Sequence, residues 1–588
     1  MTYCVRLRSV VPWMVVFFFT VSSLSAQQDI KIPNTVFRSP LGFPLYLSGT
    51  FGEPRSGHLH SGIDIKTQGA QGKKVYAVDN GYVSRIKVST SGYGKALYVT
   101  HPNGLVSVYG HLSKFNWHIQ QYVKKIQYER ESFTVEIFPK KGELPVKKGE
   151  VIAFSGDTGG SDAPHLHFEL REAKSEHPVN PLLFKGINVA DHLPPKIYRL
   201  AIYPSGVNSC VNDRQDTLVY WVSGSGKHCY IKKNPLIKVS GPISFGLQTY
   251  DVLDKVHNHD GVYKIELYED GKLVYGLRMK EISFATTRYV NSLIDYHYYV
   301  KKGRRLYRTE IDPNNRIMNY YSVKNHGVFD LKDTLVHQFK YVVSDIYGNR
   351  SVLPFNVIKT NAVCRKNKKR SLWLAHAVHI PLDKPVKIDS GALKLRFAAN
   401  SFYRPVAFPL KKYSRTNYSY SEVFGLQNRF ITAQKFFTLS IKPDPVVDKL
   451  MPRLYLAYSP DRKKSDYQYA GNSWSKKGSL VARVRNMGFY TVMADTVPPV
   501  IKPINFSAKT YLKGKKALKV WINDEQTGIG KYVPKMNGHW ILMEYDPKTK
   551  LLVYHPDQYL KKGKNEFELT VYDLLGNKKT YKAEIILQ

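Results

Sequence analysis

The chain has 588 residues, and 87 Lys and Arg against 47 Asp and Glu leave a formal charge of +40. That length corresponds to about four domains, and 43% hydrophobic residues are ample for their cores. The charge favours polyanions through long-range steering, but no motif interleaves aromatic and basic residues as a nucleic-acid surface would, so nucleic acid is set aside as a partner.

The chain opens Met1-Thr2-Tyr3-Cys4-Val5-Arg6-Leu7-Arg8, followed by a mostly apolar run from Val10 to Val21 and by Ser22-Ser23-Leu24-Ser25-Ala26-Gln27. A basic start, a short apolar stretch and a small-residue exit read as a signal peptide over 1–26, cut after Ala26. The run is too short for a comfortable membrane span, although an uncleaved anchor is the alternative. Cys4 precedes the apolar run, so it is not a lipid-attachment cysteine. The expected location is outside the cytoplasm, in the periplasm or cell envelope, with no stable membrane span after removal of the signal.

Residues 27–49 are expected to form an entry strand and loop, because Pro33, Pro40 and Pro44 oppose helix. The chemistry begins at His58-Leu59-His60-Ser61-Gly62-Ile63-Asp64, continues at Val108-Tyr109-Gly110-His111-Leu112, and ends at Pro164-His165-Leu166-His167-Phe168-Glu169. These segments concentrate imidazoles and a carboxylate, which by ligand type is a first-row metal site and by prior zinc. His165 and His167 lie two apart on a strand-like segment, so both rings share one face while Leu166 and Phe168 anchor the other. His60 and Asp64 would stand about 13 Å apart on an extended strand, so a bend is needed, and Gly62 allows one. His58 could share the face of His60 but fits groove lining better than ligation. Three protein ligands leave a fourth position for water, the catalytic arrangement. No His-Glu-x-x-His helix occurs, which removes the helical zincin reading. Lone histidines such as His118, His192, His228 and His376 are read as surface or core residues.

Phe51-Gly52-Glu53 through His60-Ser61-Gly62-Ile63-Asp64, then Val75-Tyr76-Ala77, Tyr93-Gly94, Tyr109-Gly110-His111-Leu112, and Gly156-Asp157-Thr158-Gly159 running into His165-Leu166-His167-Phe168-Glu169, resemble the lysostaphin-type (LytM-domain) zinc metallopeptidases, metallopeptidase family twenty-three. The resemblance covers roughly residues 50–172. It implies a small antiparallel β-domain with a narrow groove and hydrolysis of peptide bonds in peptidoglycan cross-links. By motif it implies one zinc ion per chain held by His60, Asp64 and His167, with His111 and His165 as the catalytic, non-ligand histidines. In a Gram-negative host, family habit favours a D-alanyl–diaminopimelate cross-link over a pentaglycine bridge. The chain departs from the compact family pattern at Phe115–Glu143, an insertion expected to be helical in its first half and strand-like in its second, and either walling the groove or forming a plain surface excursion.

Beyond the peptidase-like domain at 50–186, strand-like segments dominate. Leu193-Pro194-Pro195-Lys196-Ile197 and Val497-Pro498-Pro499-Val500-Ile501 open two similar regions. Val343-Ser344-Asp345-Ile346-Tyr347-Gly348-Asn349-Arg350 and Val571-Tyr572-Asp573-Leu574-Leu575-Gly576-Asn577-Lys578 close them with a hairpin signature. The expected fold is all-β and mainly antiparallel: immunoglobulin-like sandwiches at 187–360 (with an insertion near 250–330 that forms either extra strands or a small helix around Ser292-Leu293-Ile294) and at 496–588, flanking a further β-rich unit at 361–495. That unit begins with the basic linker Arg365-Lys366-Asn367-Lys368-Lys369-Arg370. Asp312-Pro313-Asn314-Asn315 lacks EF-hand spacing. After signal removal Cys210, Cys229 and Cys364 remain, an odd count; Cys210 and Cys229 could bridge across a hairpin containing Ser223-Gly224-Ser225-Gly226.

The expected function is that of a secreted zinc metalloendopeptidase acting on peptidoglycan, with other envelope proteins as further candidate partners. The alternative is a non-catalytic envelope regulator that activates another cell-wall hydrolase. A third reading is a peptidase aimed at protein.

Overall fold

Alternating burial over short strands, broken by Gly- and Asn-containing turns, yields a mostly β chain whose sheets are mainly antiparallel. The computed structural model describes residues 34–362, 364, 377–426, 429–514 and 516–588. The expected signal peptide, Pro33, the basic linker at 365–370 and His376 lie outside the described residues. Among the described residues, no helix is long and apolar enough to cross a membrane.

The first sheet uses β1 (Leu47–Gly49), β4 (Ile63–Lys66), β5 (Lys74–Tyr76), β6 (Gly81–Val88), β7 (Lys95–Thr100) and β8 (Leu105–Phe115). It continues with β9 (Val135–Ile137), β10 (Pro145–Val146), β11 (Val151–Ser155), β12 (His165–Glu172) and β13 (Pro178–Val179). A small hairpin, β2 (Pro54–Arg55) and β3 (His58–Leu59), stands beside it. The main path runs β1-β4-β12-β8-β7-β6-β10, so β12 sits between β4 and β8. The entry segment is therefore part of this sheet: Leu47 pairs with Ile65, and Phe37 donates its N–H to the Lys185 carbonyl at 2.9 Å.

The segment 115–143 holds helix α1 (Trp117–Glu129) and then β9, which pairs with β6. Asn116 caps the helix by accepting from the Ile119 N–H at 3.0 Å, as Asn does at an N-cap. Ile119, Val123 and Gln127 are buried at four-residue spacing, the stripe a surface helix needs.

Further β domains follow. A five-stranded sheet (including Lys196–Pro204 and Ile243–Tyr250) faces a seven-stranded one (including Val336–Ser344 and Arg350–Lys359) across a shared core with Phe245, Phe339 and Phe355 at its centre. The region near 250–330 carries the hairpin Lys264–Glu269/Lys272–Arg278 and short helices at Val290–Leu293 and Tyr296–Lys302. Two five-stranded sheets over 386–494 enclose a core around Phe397 and Phe437. The last domain packs a four-stranded on a five-stranded sheet around Val520, Phe567 and Ile585.

The cysteines depart from the sequence expectation. Cys210 bonds Cys364, and Cys229 is free and buried. The reason is topological. The strand Cys210–Val211 joins the seven-stranded sheet beside Ile237–Ser240, which pairs with Arg350–Lys359, the strand that leads to Cys364. Cys229 precedes Tyr230–Ile231 at the edge of the opposite sheet.

Successive domains share seams. Phe51 and Leu59 belong to the core of the second domain, and Thr50 Oγ donates to the Gly261 carbonyl at 2.9 Å. Asp312 and Asn314 bind Arg404 and the Phe402 carbonyl across the next seam. Arg453 donates to the Leu575 carbonyl at 2.8 Å in the third. The last domain returns to the first: Lys95 pairs with Glu544 at 2.8 Å, and Tyr128 of α1 packs edge-on to Trp540 and stacks on Tyr559.

Candidate metal centre

β12 carries His165 and His167 on one face; its register against β4 puts His167 opposite Asp64. His60 arrives from the other side, just after β3. The three donor atoms form a small triangle. His60 Nε2 lies 3.1 Å from His167 Nδ1 and 3.2 Å from Asp64 Oδ1; His167 Nδ1 lies 2.9 Å from Asp64 Oδ1. Ligands about 2.0–2.2 Å from one tetrahedral ion stand roughly 3.3 Å apart, so these residues fit a single small metal ion.

The chain does bend between His60 and Asp64, but Gly62 serves it differently from expectation. Its φ is not positive; a Cβ there would come within 2.3 Å of the Phe168 carbonyl oxygen. Glycine is required by close approach to β12, not by left-handed backbone.

Second partners fix each ligand's orientation. His60 Nδ1 donates to the Thr50 carbonyl at 2.8 Å, which leaves Nε2 with a free lone pair. His167 Nε2 is 2.8 Å from Glu169 Oε1. Glu169 is fully buried and also accepts from Ser61 at 2.6 Å, Tyr93 at 2.5 Å and Arg171 at 2.6 Å. Asp64 Oδ2 accepts from Arg55 at 2.5 Å, so Oδ1 is the oxygen left for an ion. Burial would raise the Asp64 carboxyl, but His60, His165 and His167 hold it well below the usual range. Burial would lower His167, yet Asp64 and Glu169 raise it to about 9. Burial dominates at His60 and lowers it to about 4.

His111 and His165 meet at the same place, their ring centroids 4.8 Å apart. His111 Nδ1 donates to the Thr158 carbonyl and His165 Nδ1 to the Ala163 carbonyl, each at 2.8 Å. Both therefore turn Nε2 toward the triangle, where His165 Nε2 lies 3.4 Å from Asp64 Oδ1. Burial, with His167 and His165 nearby, lowers His111 to about 4. His111 sits in a β-bulge: Leu97 pairs with Tyr109 but Lys95 with Leu112, so β8 spends one extra residue there. Its φ is +57°, and such bulges re-aim side chains.

His58 is exposed, with Nδ1 against the Ser56 carbonyl at 3.2 Å, outside the triangle. His118 packs on Trp117 and His192 pairs with Asp254, both away from the site. Sequence reasoning did not single out Arg55, Ser61, Tyr93 or Arg171 as supports. The signal available was β-strand alternation: Glu169 and Arg171 continue the face of His165 and His167.

A buried His-Asp-His triangle that could hold a metal ion thus lies on an antiparallel sheet, with two further imidazoles beside it. Residues 58–128 and 136–181 match "Peptidase family M23", and the chain thus carries an M23, LytM-type domain. Residues 377–495 match "Zu5-like domain". The chain is 36% identical over 124 residues to the DD-carboxypeptidase/endopeptidase Mpg of Neisseria meningitidis serogroup B, covering 21% of this chain and 22% of that protein. It is 31% identical over 129 residues to a lipoprotein NlpD/LppB homolog of Pseudomonas aeruginosa, covering 22% and 34%. The catalytic domain of the antimicrobial peptidase lysostaphin from Staphylococcus simulans is 27% identical, with 24% of this chain and 87% of that one covered and a TM-score of 0.17. The chain thus spans only about a fifth to a third of the length of these curated relatives.

Proposed function

We propose that this chain is an exported zinc metalloendopeptidase that hydrolyses peptide cross-links of peptidoglycan. The observation that carries the reading is the donor triangle of His60 Nε2, Asp64 Oδ1 and His167 Nδ1, with His111 and His165 beside it, each held through Nδ1 by a backbone carbonyl. Similarity to a DD-carboxypeptidase/endopeptidase and to a lipoprotein supports a wall substrate and an envelope location.

Zinc held by His60, Asp64 and His167 would supply a Lewis acid and lower the pKa of a bound water to about 7. The rest is done by the chain. Arg55 holds the second oxygen of Asp64, and Glu169 holds the far nitrogen of His167, so neither ligand can turn away. His111 is neutral above about pH 4 and can take a proton at Nε2. His165 shares the space and is less buried, with 16% of its side chain exposed. It is the better placed to meet substrate, to orient the attacking water and to stabilise the oxyanion.

The test is metal analysis of purified residues 27–588 with defined peptidoglycan fragments, read by mass spectrometry. One zinc per chain and cleavage of a stem or bridge peptide are expected. His60→Ala and Asp64→Ala should lose zinc and activity together, whereas His165→Ala should keep zinc and lose rate by about 10²–10⁴. Zinc without cleavage of any fragment, alone or with other wall hydrolases added, would move the reading to the non-catalytic regulator. Cleavage of protein substrates alone would move it to the protein-directed peptidase.

A further inference from the structure

A second group of buried acids lies away from the histidines. Asp191, Asp251 and Asp345 each offer a carboxylate oxygen, and these oxygens all lie within 4.8 Å of one another. The residues are 7%, 4% and 3% exposed. They come from three separate places in the second domain: just before Pro194-Pro195, at the end of the strand Ile243–Tyr250, and in the turn before Arg350–Lys359.

The last domain repeats the framework. Asp495, Asp524 and Asp573 form the matching group. Asp191 Oδ1 accepts from the Leu193 N–H, as Asp495 Oδ1 does from Val497, each at 3.0 Å. Asp345 Oδ1 accepts from the Asn349 N–H, as Asp573 Oδ1 does from Asn577, each at 2.8 Å. The side-chain amides of Asn349 and Asn577 reach back to the carbonyls of Asp191 and Asp495.

The two groups differ at the middle acid, since Asp524 accepts from the Gln526, Thr527 and Gly528 N–H groups and Asp251 from Val252 alone, and at the second oxygen of the first acid. In the last domain Asp495 Oδ2 receives the Thr527 hydroxyl at 2.8 Å. In the second domain Asp191 Oδ2 is buried with no N–H or alcohol donor against it, and the neighbouring side chain that bonds Asp191 is another acid, Asp345. Among the described residues, no lysine or arginine forms an ion pair with these three carboxylates. Burial, then Asp345, pushes Asp191 up to about 7, and burial and the neighbouring acids push Asp251 up well above its ordinary value. Leaving a buried carboxylate oxygen unsatisfied is costly. The framework tolerates it in the copy where no side chain takes the place of Thr527.

We infer that Asp191, Asp251 and Asp345 form a binding site for a hard divalent cation of the calcium class. Such ions take carboxylate oxygens at about 2.3–2.6 Å in adaptable geometry, so oxygens up to about 5 Å apart can share one ion. The cation neutralises like charges brought together and gives Asp191 Oδ2 its missing partner. The copy at Asp495, where Thr527 fills that role, does not need one.

The site also has a route to the metal centre. Asp251 and Asp260 exchange backbone hydrogen bonds at 2.8 and 3.0 Å, which closes the loop between them. Gly261 accepts from Thr50, and Thr50 accepts from His60. The closed loop also lines a cavity of about 500 Å³ with Lys255, Val256 and His257 opposite Tyr46 and Lys66. A cation at Asp251 fixes one end of the element against which the His60 loop rests.

The test uses the zinc-loaded full chain, stripped of calcium and titrated with calcium chloride by calorimetry, with terbium as a luminescent probe and zinc content followed throughout. One calcium per chain is expected, with a rise of several degrees in Tm, and terbium emission sensitised by Tyr347 that calcium quenches. Asp251→Asn should lower calcium affinity at least tenfold and abolish the Tm rise, while Asp524→Asn leaves both unchanged. Because Asp251→Asn removes one of three crowded charges it should still fold; Asp191→Asn is the second variant. No binding at millimolar calcium would overturn the inference, the acids then being a protonated, hydrogen-bonded group. Weak binding equal in Asp251→Asn and the parent would equally overturn it, as surface association.

Discussion

Glu169 holds His167 at the metal centre through the nitrogen that faces away from the donor triangle. It is the shared acceptor of His167, Ser61, Tyr93 and Arg171 in a buried pocket. Burial would raise its carboxyl, but Arg171 and His167 hold it well below the usual range. Glu169→Gln keeps the shape and removes the charge. Arg171 is then a buried cation without its partner, which costs about 3–5 kcal/mol, and His167 loses the group that fixes its tautomer, which costs about 10–100-fold in metal affinity. Thermal unfolding and metal content of the variant check both figures; a variant that binds zinc normally would show that the carboxylate is not the orienting group. The histidines themselves were legible in the sequence because metal chemistry restricts residue type and spacing. Arg55 and Tyr93 were not, because any polar residue can support a ligand and only the fold decides which one reaches it.

At the scale of elements, the bulge in β8 is the feature that delivers His111. A left-handed residue without a glycine costs roughly 1 kcal/mol, and here the backbone carries an imidazole at φ +57°. Asparagine adopts that conformation more readily, so His111→Asn should unfold within about 1 kcal/mol of the parent while losing activity by about 10²–10⁴. Denaturant melts and turnover measured on the same sample separate the two effects. Strand alternation made β12 readable from Leu166 and Phe168, and turn residues marked the closing hairpins at Gly348 and Gly576. A bulge leaves no such trace, since one extra residue looks like any other. The disulfide was hidden for a related reason: Cys210 and Cys364 are 154 residues apart, and only a parallel pairing of Ile237–Ser240 with Arg350–Lys359 brings them together. Closing so long a loop constrains the unfolded chain, so Cys364→Ser should lower stability by about 2–5 kcal/mol, read from chemical denaturation with and without reductant.

At the scale of the molecule, the insertion at 115–143 reaches beyond its own domain. It is the docking face for the last domain through Tyr128, Trp540, Tyr559 and Asp557. Nearby, Lys548 bonds the Asp157 and Ser161 carbonyls, and Ser161 Oγ lies 3.1 Å from His165 Nδ1. The last domain thus braces the loop that carries a candidate catalytic histidine. Lys548→Ala should cost under about 1 kcal/mol in stability. It should raise hydrogen exchange over 157–163 and slow turnover several-fold with zinc retained; unchanged exchange there would remove the brace from the account. The seams run first to second, second to third, third to fourth and fourth back to first. Such a circuit is redundant in the way a closed chain of links is. One nick between the second and third domains leaves both pieces gripped at two seams, each facing its mate at the high local concentration that tethering gives. A protease could scar this protein without dismantling it.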